Sequence, residues 1–121
     1  MISDVFCKII NKELPAEIVM EDDDFIVIKD IHPQAPVHVL IIPKRHLDII
    51  HEVSHENLDV LGKLLIVAGK AAQTLGVAAS GYRLILNQGV NAGQLVPHLH
   101  MHLLAEKKLG AKIINTHYYG S

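Results

Sequence analysis

The chain has 121 residues, half of them hydrophobic and a fifth charged, which suits one packed domain and argues against disorder. Its formal charge of −2 gives no general attraction to nucleic acid or to an anionic membrane, so an anion must be bound by a local site. The single cysteine, Cys7, excludes an internal disulfide and points to a reducing, cytoplasmic setting.

No basic stretch followed by a long apolar one opens the sequence, so no secretory signal is expected, and no apolar run reaches spanning length. In "SDVFCKIINKELP" a short helix is expected, with Ser3 as its cap, Phe6, Ile9 and Ile10 on one face, and Pro15 at its end. "EIVMEDDDFIVIKD" reads as two short strands around the solvated acidic turn Asp22-Asp23-Asp24. "DIHPQAP" is a proline-punctuated loop, and "VHVLIIPKRH" a buried strand rich in β-branched residues that stops at Pro43.

A long helix follows. Ser54 can cap it, Leu58, Leu61, Leu65, Ala68, Ala72 and Leu75 recur at spacings of three and four, and Gly76 closes it in the left-handed conformation. "YRLILN" is the next strand, "QGVNAGQ" a polar glycine loop, and "PHLHMHLLA" the last strand. The tail 106–121 has no strong periodicity, and His51, His55 and His117 read as surface residues. No repeat or composition break divides residues 1–121. The expected fold is a single α+β domain with a mostly antiparallel sheet of about five strands, one long helix and one short one.

The last strand carries the chemistry. His98, His100 and His102 alternate with Leu99, Met101 and Leu103, and the period of two sends the imidazoles to one face and the apolar residues to the other. Such a face could be merely solvated, could hold zinc through two histidines and a distant ligand, or could perform covalent catalysis, an imidazole attacking phosphorus while its neighbours fix the tautomer and bind oxygens. The glycines of "GVNAGQLV" let backbone N–H groups approach an anion, and Asn87 can donate to a phosphate oxygen. No acidic residue lies between Asp59 and Glu106 to orient a metal-bound imidazole, which favours an anion over a cation beside the strand. Taken alone, His38 fits a buried strand histidine, Phe6, Ile9 and Ile28 fit plain core, and Asp30 beside Pro33 fits a turn.

"HLHMHLL" fits His-φ-His-φ-His-φ-φ, with φ apolar, and so resembles the histidine triad superfamily of nucleotide hydrolases and transferases. "FCKIINKELPAEIVMEDD", "DIHPQAPVHVLIIPKRH", "GYRLILNQG" and "AGQLVPHLHMHLLA" extend the resemblance, in order, from Phe6 to Ala105, with HINT-type purine nucleoside phosphoramidases the most similar branch. The resemblance implies a hydrolase of purine nucleoside 5′-phosphoramidates. His100 would be the nucleophile forming a nucleotidyl-imidazole, His98 and His38 would orient it, and His102 would contact phosphate oxygens and assist the leaving group. Asp30 would hold the ribose hydroxyls, Ile31, Phe6, Ile9 and Ile28 the purine, and Asn87, Gly93 and the backbone at Leu95 the phosphate. A dinucleoside polyphosphate hydrolase, or a nucleotide-binding or interaction module with residual activity, are the alternatives.

The resemblance further implies a homodimer through the long helix and the adjoining strand edge, with no cofactor required. This sequence departs from the family at Leu95, where the HINT branch usually has a serine that contacts phosphate. Some bacterial relatives bind structural zinc through Cys-x-x-Cys and later histidines; here Asp4 replaces the first cysteine, so Asp4, Cys7 and His46 have lost a soft ligand and no zinc is expected. The tail 106–121, which in HINT proteins reaches the partner's site, matches poorly.

Overall fold

The computed structural model describes residues 4–106; Ser3, His117 and the tail beyond Glu106 lie outside them. In chain order come helix α1 (Val5–Ile10), strands β1 (Ile18–Glu21), β2 (Phe25–Lys29) and β3 (Val37–Pro43), helix α2 (Leu58–Thr74), and strands β4 (Tyr82–Ile85) and β5 (Met101–Ala105). The five strands form one antiparallel sheet in the order β1-β2-β3-β5-β4. β5, the last strand among the described residues, is thus inserted between β3 and β4. That insertion sets His102 opposite Leu40 of β3 and opposite Ile85 of β4.

The sheet separates two apolar clusters, and the period of two assigns residues to them. On one face Val39, Ile41, Leu99, Met101 and Leu103 pack with Val60, Leu64, Val67, Ala68 and Ala71 of α2. On the other, Ile26, Ile28, Leu40 and Ile42 pack with Phe6 and Ile9 of α1. His38, His98, His100 and His102 alternate with the first set and so share the α1 face. Because the histidine side is covered by only six residues of helix, it retains room for a ligand.

Several boundaries differ from the sequence reading. Asp4, not Ser3, caps α1, its Oδ1 accepting from the Cys7 N–H at 2.8 Å. The helix ends well before Pro15, because Lys12 turns left-handed (φ 64°) and the N–H groups of Glu13 and Leu14 donate to the Lys8 carbonyl. Ser54 caps a 3₁₀ turn, His55–Asn57, that runs directly into α2. The buried stripe of α2 is Val60, Leu64, Val67, Ala68, Ala71 and Ala72, so Leu58 (65% exposed) and Leu65 (58%) of the expected stripe face outward. That helix is apolar on neighbouring stripes, and packing on the sheet selects one of them. Gly76 does take the left-handed position after it (φ 74°), and Asp22 Oδ1 closes the acidic hairpin turn by accepting from Asp24 and Phe25.

The histidine segment is regular strand only from Met101 onward. Its partner β3 ends at Pro43, which has no N–H to donate. Upstream of Met101 the ladder is replaced by single bonds, Leu99 N–H to the Leu47 carbonyl and the His98 ring to the Pro43 carbonyl.

Candidate active site

The three alternating imidazoles have three different environments. His98 is fully buried: its Nε2–H donates to the Pro43 carbonyl at 2.8 Å, and its Nδ1 lies 3.2 Å from Asp4 Oδ2 and 3.6 Å from Cys7 Sγ. His46 joins the same group, its Nδ1 3.1 Å from Asp4 Oδ2 and 3.4 Å from Cys7 Sγ. Burial raises the Asp4 carboxyl, but the Cys7 N–H and the charge and hydrogen bond of His98 outweigh it and hold the carboxyl below its ordinary range. Two imidazoles, a thiol and a carboxylate, with ligand atoms all within 4.8 Å of one another, form a donor set of the kind that suits zinc.

His100 stands beyond this cluster. Its Nδ1–H donates to the His98 carbonyl at 2.7 Å, which leaves Nε2 without a proton in the neutral ring. The edge of Phe6 packs against it, ring centroids 4.9 Å apart. Burial lowers its pKa more than the His98 carbonyl and the Asp4 and Asp30 carboxylates raise it, so the ring is neutral at neutral pH.

His102 belongs to a second chain of contacts. The Gln34 backbone N–H donates to His38 Nδ1 at 3.0 Å, which fixes the proton of neutral His38 on Nε2. That nitrogen lies 2.9 Å from His102 Nδ1 and 3.3 Å from Asp30 Oδ2. By accepting at Nδ1, His102 keeps its own proton on Nε2. Burial, then the neighbouring His100 and His38, push its pKa down to about 4. The result is a lone pair on His100 beside an N–H on His102, with ring centroids 5.3 Å apart.

A cavity of about 330 Å³ opens over these two rings. Phe6, Ile9, Ile28, Asp30, Ile31, Asn87, Gly93 and Leu95 line it together with His100 and His102. His38 and His98 do not line it and stand behind. Asp30 also forms the local turn, its Oδ1 accepting from His32 N–H. Ile31 and Leu95 sit at the mouth, 85% and 92% exposed, and Leu95 offers no hydroxyl.

The fold adds detail to one part of the sequence reading and overturns another. His98 meets His100 through its backbone carbonyl, which accepts from the His100 ring, and the contact shown for His38 is with His102. The absence of acidic residues near the triad in sequence is undone, because α1 brings Asp4 to His98 and β2 brings Asp30 to His38. Sequence reasoning missed Val5, Lys29, Leu40 and Val96 in the cavity wall. Leu40 and Val96 lie two residues from His38 and His98, so the same period of two could have found them; Val5 and Lys29 carried no such signal.

Comparison with known proteins agrees with this fold. The family model for the HIT domain matches residues 11–109. The purine nucleoside phosphoramidase of Escherichia coli (strain K12) is 46% identical over 106 residues, 88% of this chain and 89% of that protein. A HIT family hydrolase from Clostridium thermocellum superposes with a TM-score of 0.90 at 52% identity, covering 94% of this chain and 99% of its own. A HIT family hydrolase from Legionella pneumophila superposes with a TM-score of 0.86 at 42% identity, covering 90% and 97%.

Proposed function

The chain belongs to the HIT domain family, and from that premise we propose that it is a hydrolase of purine nucleoside 5′-phosphoramidates acting through a covalent nucleotidyl-histidine. The observation that carries the reading is His100, a ring lining the cavity whose Nδ1–H is held by a backbone carbonyl, which leaves the lone pair of the neutral ring on Nε2. A neutral imidazole is nucleophilic at neutral pH, and its phosphoryl adduct is a good leaving group for water.

In the first step His100 Nε2 attacks the α-phosphorus and the P–N bond breaks. The His102 Nε2–H hydrogen-bonds to the departing nitrogen, which takes the proton it needs from water in the open cavity and leaves as the neutral amine, while phosphorylated His100 carries the positive charge. In the second step water attacks phosphorus, the P–Nε2 bond breaks with its electron pair returning to His100, and the water releases one proton to solvent, equal to the one the amine took up. The Gln34 N–H and His38 hold His102 in the tautomer this requires. Phe6, Ile9, Ile28 and Ile31 offer the base an apolar slot, Asp30 faces the ribose, and Asn87, Gly93 and the backbone at Leu95 face the phosphate.

No cofactor enters this scheme. Asp4, Cys7, His46 and His98 fit a structural zinc ion, which would tie α1 to the histidine segment without touching the reacting atoms. A homodimer is part of the proposal, supported by the outward apolar residues Leu58, Leu65 and Ile66 of α2; light scattering at micromolar concentration should give twice the chain mass. No helix among the described residues is long and apolar enough to cross a membrane, and the cytoplasm is the proposed setting.

The test is release of amine from a fluorogenic adenosine phosphoramidate, run beside a dinucleoside polyphosphate. Phosphoramidate cleavage with an adduct trapped on His100 is expected, and His100→Ala should lower kcat by about 10³-fold or more while AMP still binds. Cleavage of the polyphosphate alone, or turnover that survives His100→Ala, would overturn the assignment.

A further inference from the structure

Behind the phosphate-side wall of the cavity lies a side chain that the proposed reaction does not use. Gln94 is half-buried, and its two chain neighbours, Gly93 and Leu95, line the cavity. Its Oε1 accepts from the Gly89 N–H at 2.7 Å and from Gln88 Nε2 at 3.0 Å. Its Nε2 donates to Asp48 Oδ1 at 2.7 Å and to the Val96 carbonyl at 3.0 Å. Both lone pairs and both N–H bonds of the amide are therefore occupied. The amide cannot turn over, because a backbone N–H only donates and a carboxylate or carbonyl only accepts.

These four bonds span the glycine loop. Gly89 (φ 86°) and Gly93 (φ 82°) reverse the chain around a 3₁₀ turn, Val90–Ala92, and Gln94 joins the start of that turn to the residues that follow it. Asp48 anchors the amide to a separate segment, and Gln88 Oε1, accepting from the Ile50 N–H at 2.7 Å, adds a second tie to it. Glycines give a loop conformational freedom that must be removed elsewhere if its N–H groups are to meet an oxyanion without reorganisation.

We infer that Gln94 is a positioning residue for the phosphoryl group: with Asp48 it fixes the glycine loop so that the wall at Asn87, Gly93 and Leu95 is preset for the α-phosphate. The inference rests on the phosphoramidase reading of the cavity. It implies that the base and ribose contacts, which come from α1, β2 and the loop that follows β2, are independent of Gln94.

Three variants separate this role from general packing. Gln94→Glu keeps the acceptor toward Gly89 but sets a second carboxylate against Asp48 and the Val96 carbonyl, and should lower kcat/KM for an adenosine phosphoramidate by about 30-fold or more. Adding Asp48→Asn supplies an amide donor toward the introduced carboxylate and should return most of that loss, whereas Asp48→Asn alone should cost about threefold. Calorimetry supplies the second readout: AMP should bind the Gln94→Glu variant about tenfold more weakly, while adenosine, lacking phosphate, binds both forms alike. If Gln94→Glu does not fold, Asp48→Ala cuts the same tie from the other end and should show the same AMP-against-adenosine split. Equal loss of AMP and adenosine, or no rescue in the double variant, would overturn the inference. Failure of the unaltered protein to cleave the phosphoramidate would instead overturn the functional reading itself.

Discussion

The protonation of His102 offers the sharpest physical test. Its pKa is depressed to about 4, first by burial and then by the neighbouring His100 and His38 rings. At pH 5.5 a histidine with an ordinary pKa of ~6.5 is about 90% protonated, whereas one at about 4 is only about 3% protonated. The ring should therefore remain a neutral Nε2–H donor well below the pH at which free histidine charges. The same depression has a stability consequence. The unfolded chain binds this proton more tightly than the folded one, so the His102 contribution to stability is constant above pH 6.5 and declines as pH falls from 6.5 toward 4. The full gap corresponds to at most about 3.4 kcal/mol, and water reaching the ring through the open cavity screens roughly half, leaving about 1.5–2 kcal/mol. Urea unfolding between pH 7.5 and 4.5 measures this loss, and His102→Gln should remove that share of the slope. An NMR titration of the His102 ring checks the cause directly. A midpoint near 6.5, or parallel pH curves for the two proteins, would refute the reasoning.

Leu95→Ser places a hydroxyl at the mouth of the cavity beside the phosphate wall, where a new hydrogen bond of ~1–1.5 kcal/mol should raise kcat/KM for a phosphoramidate about five- to tenfold; an unchanged value would place the side chain away from the phosphoryl group. Excess EDTA should leave turnover intact. A zinc ion on Asp4, Cys7, His46 and His98 would be detected by metal analysis, and its removal should lower Tm without silencing the enzyme. Activity lost to EDTA and regained with zinc would contradict a metal-free reaction.

The parts of the site legible in sequence were those fixed by local period and spacing. Alternation alone put His98, His100 and His102 on one face and Leu99, Met101 and Leu103 in the core, and the family resemblance added the cavity wall from Phe6 to Leu95. Pro43 foretold the end of β3, and Gly76 the end of α2. On α2, Ala68 and Ala72 of the expected stripe are buried and Leu61 and Leu75 pack against the core, but Leu58 and Leu65 face outward, because neighbouring stripes are also apolar and periodicity cannot choose between them without the sheet.

What the sequence by itself determined is therefore a set of faces and stops: backbone geometry repeats every two or 3.6 residues whatever the chain packs against. What only the tertiary structure decided is which groups meet across long separations. Asp4 reaches His98 from 94 residues away, and His38 reaches His102 from 64. The donor that holds His100 in place has a local partner, yet that partner is a backbone carbonyl, which every residue carries and no motif can mark. Tautomer, protonation and the free lone pair all depend on such meetings, because they are set by the partner at each ring nitrogen and by the water that burial removes.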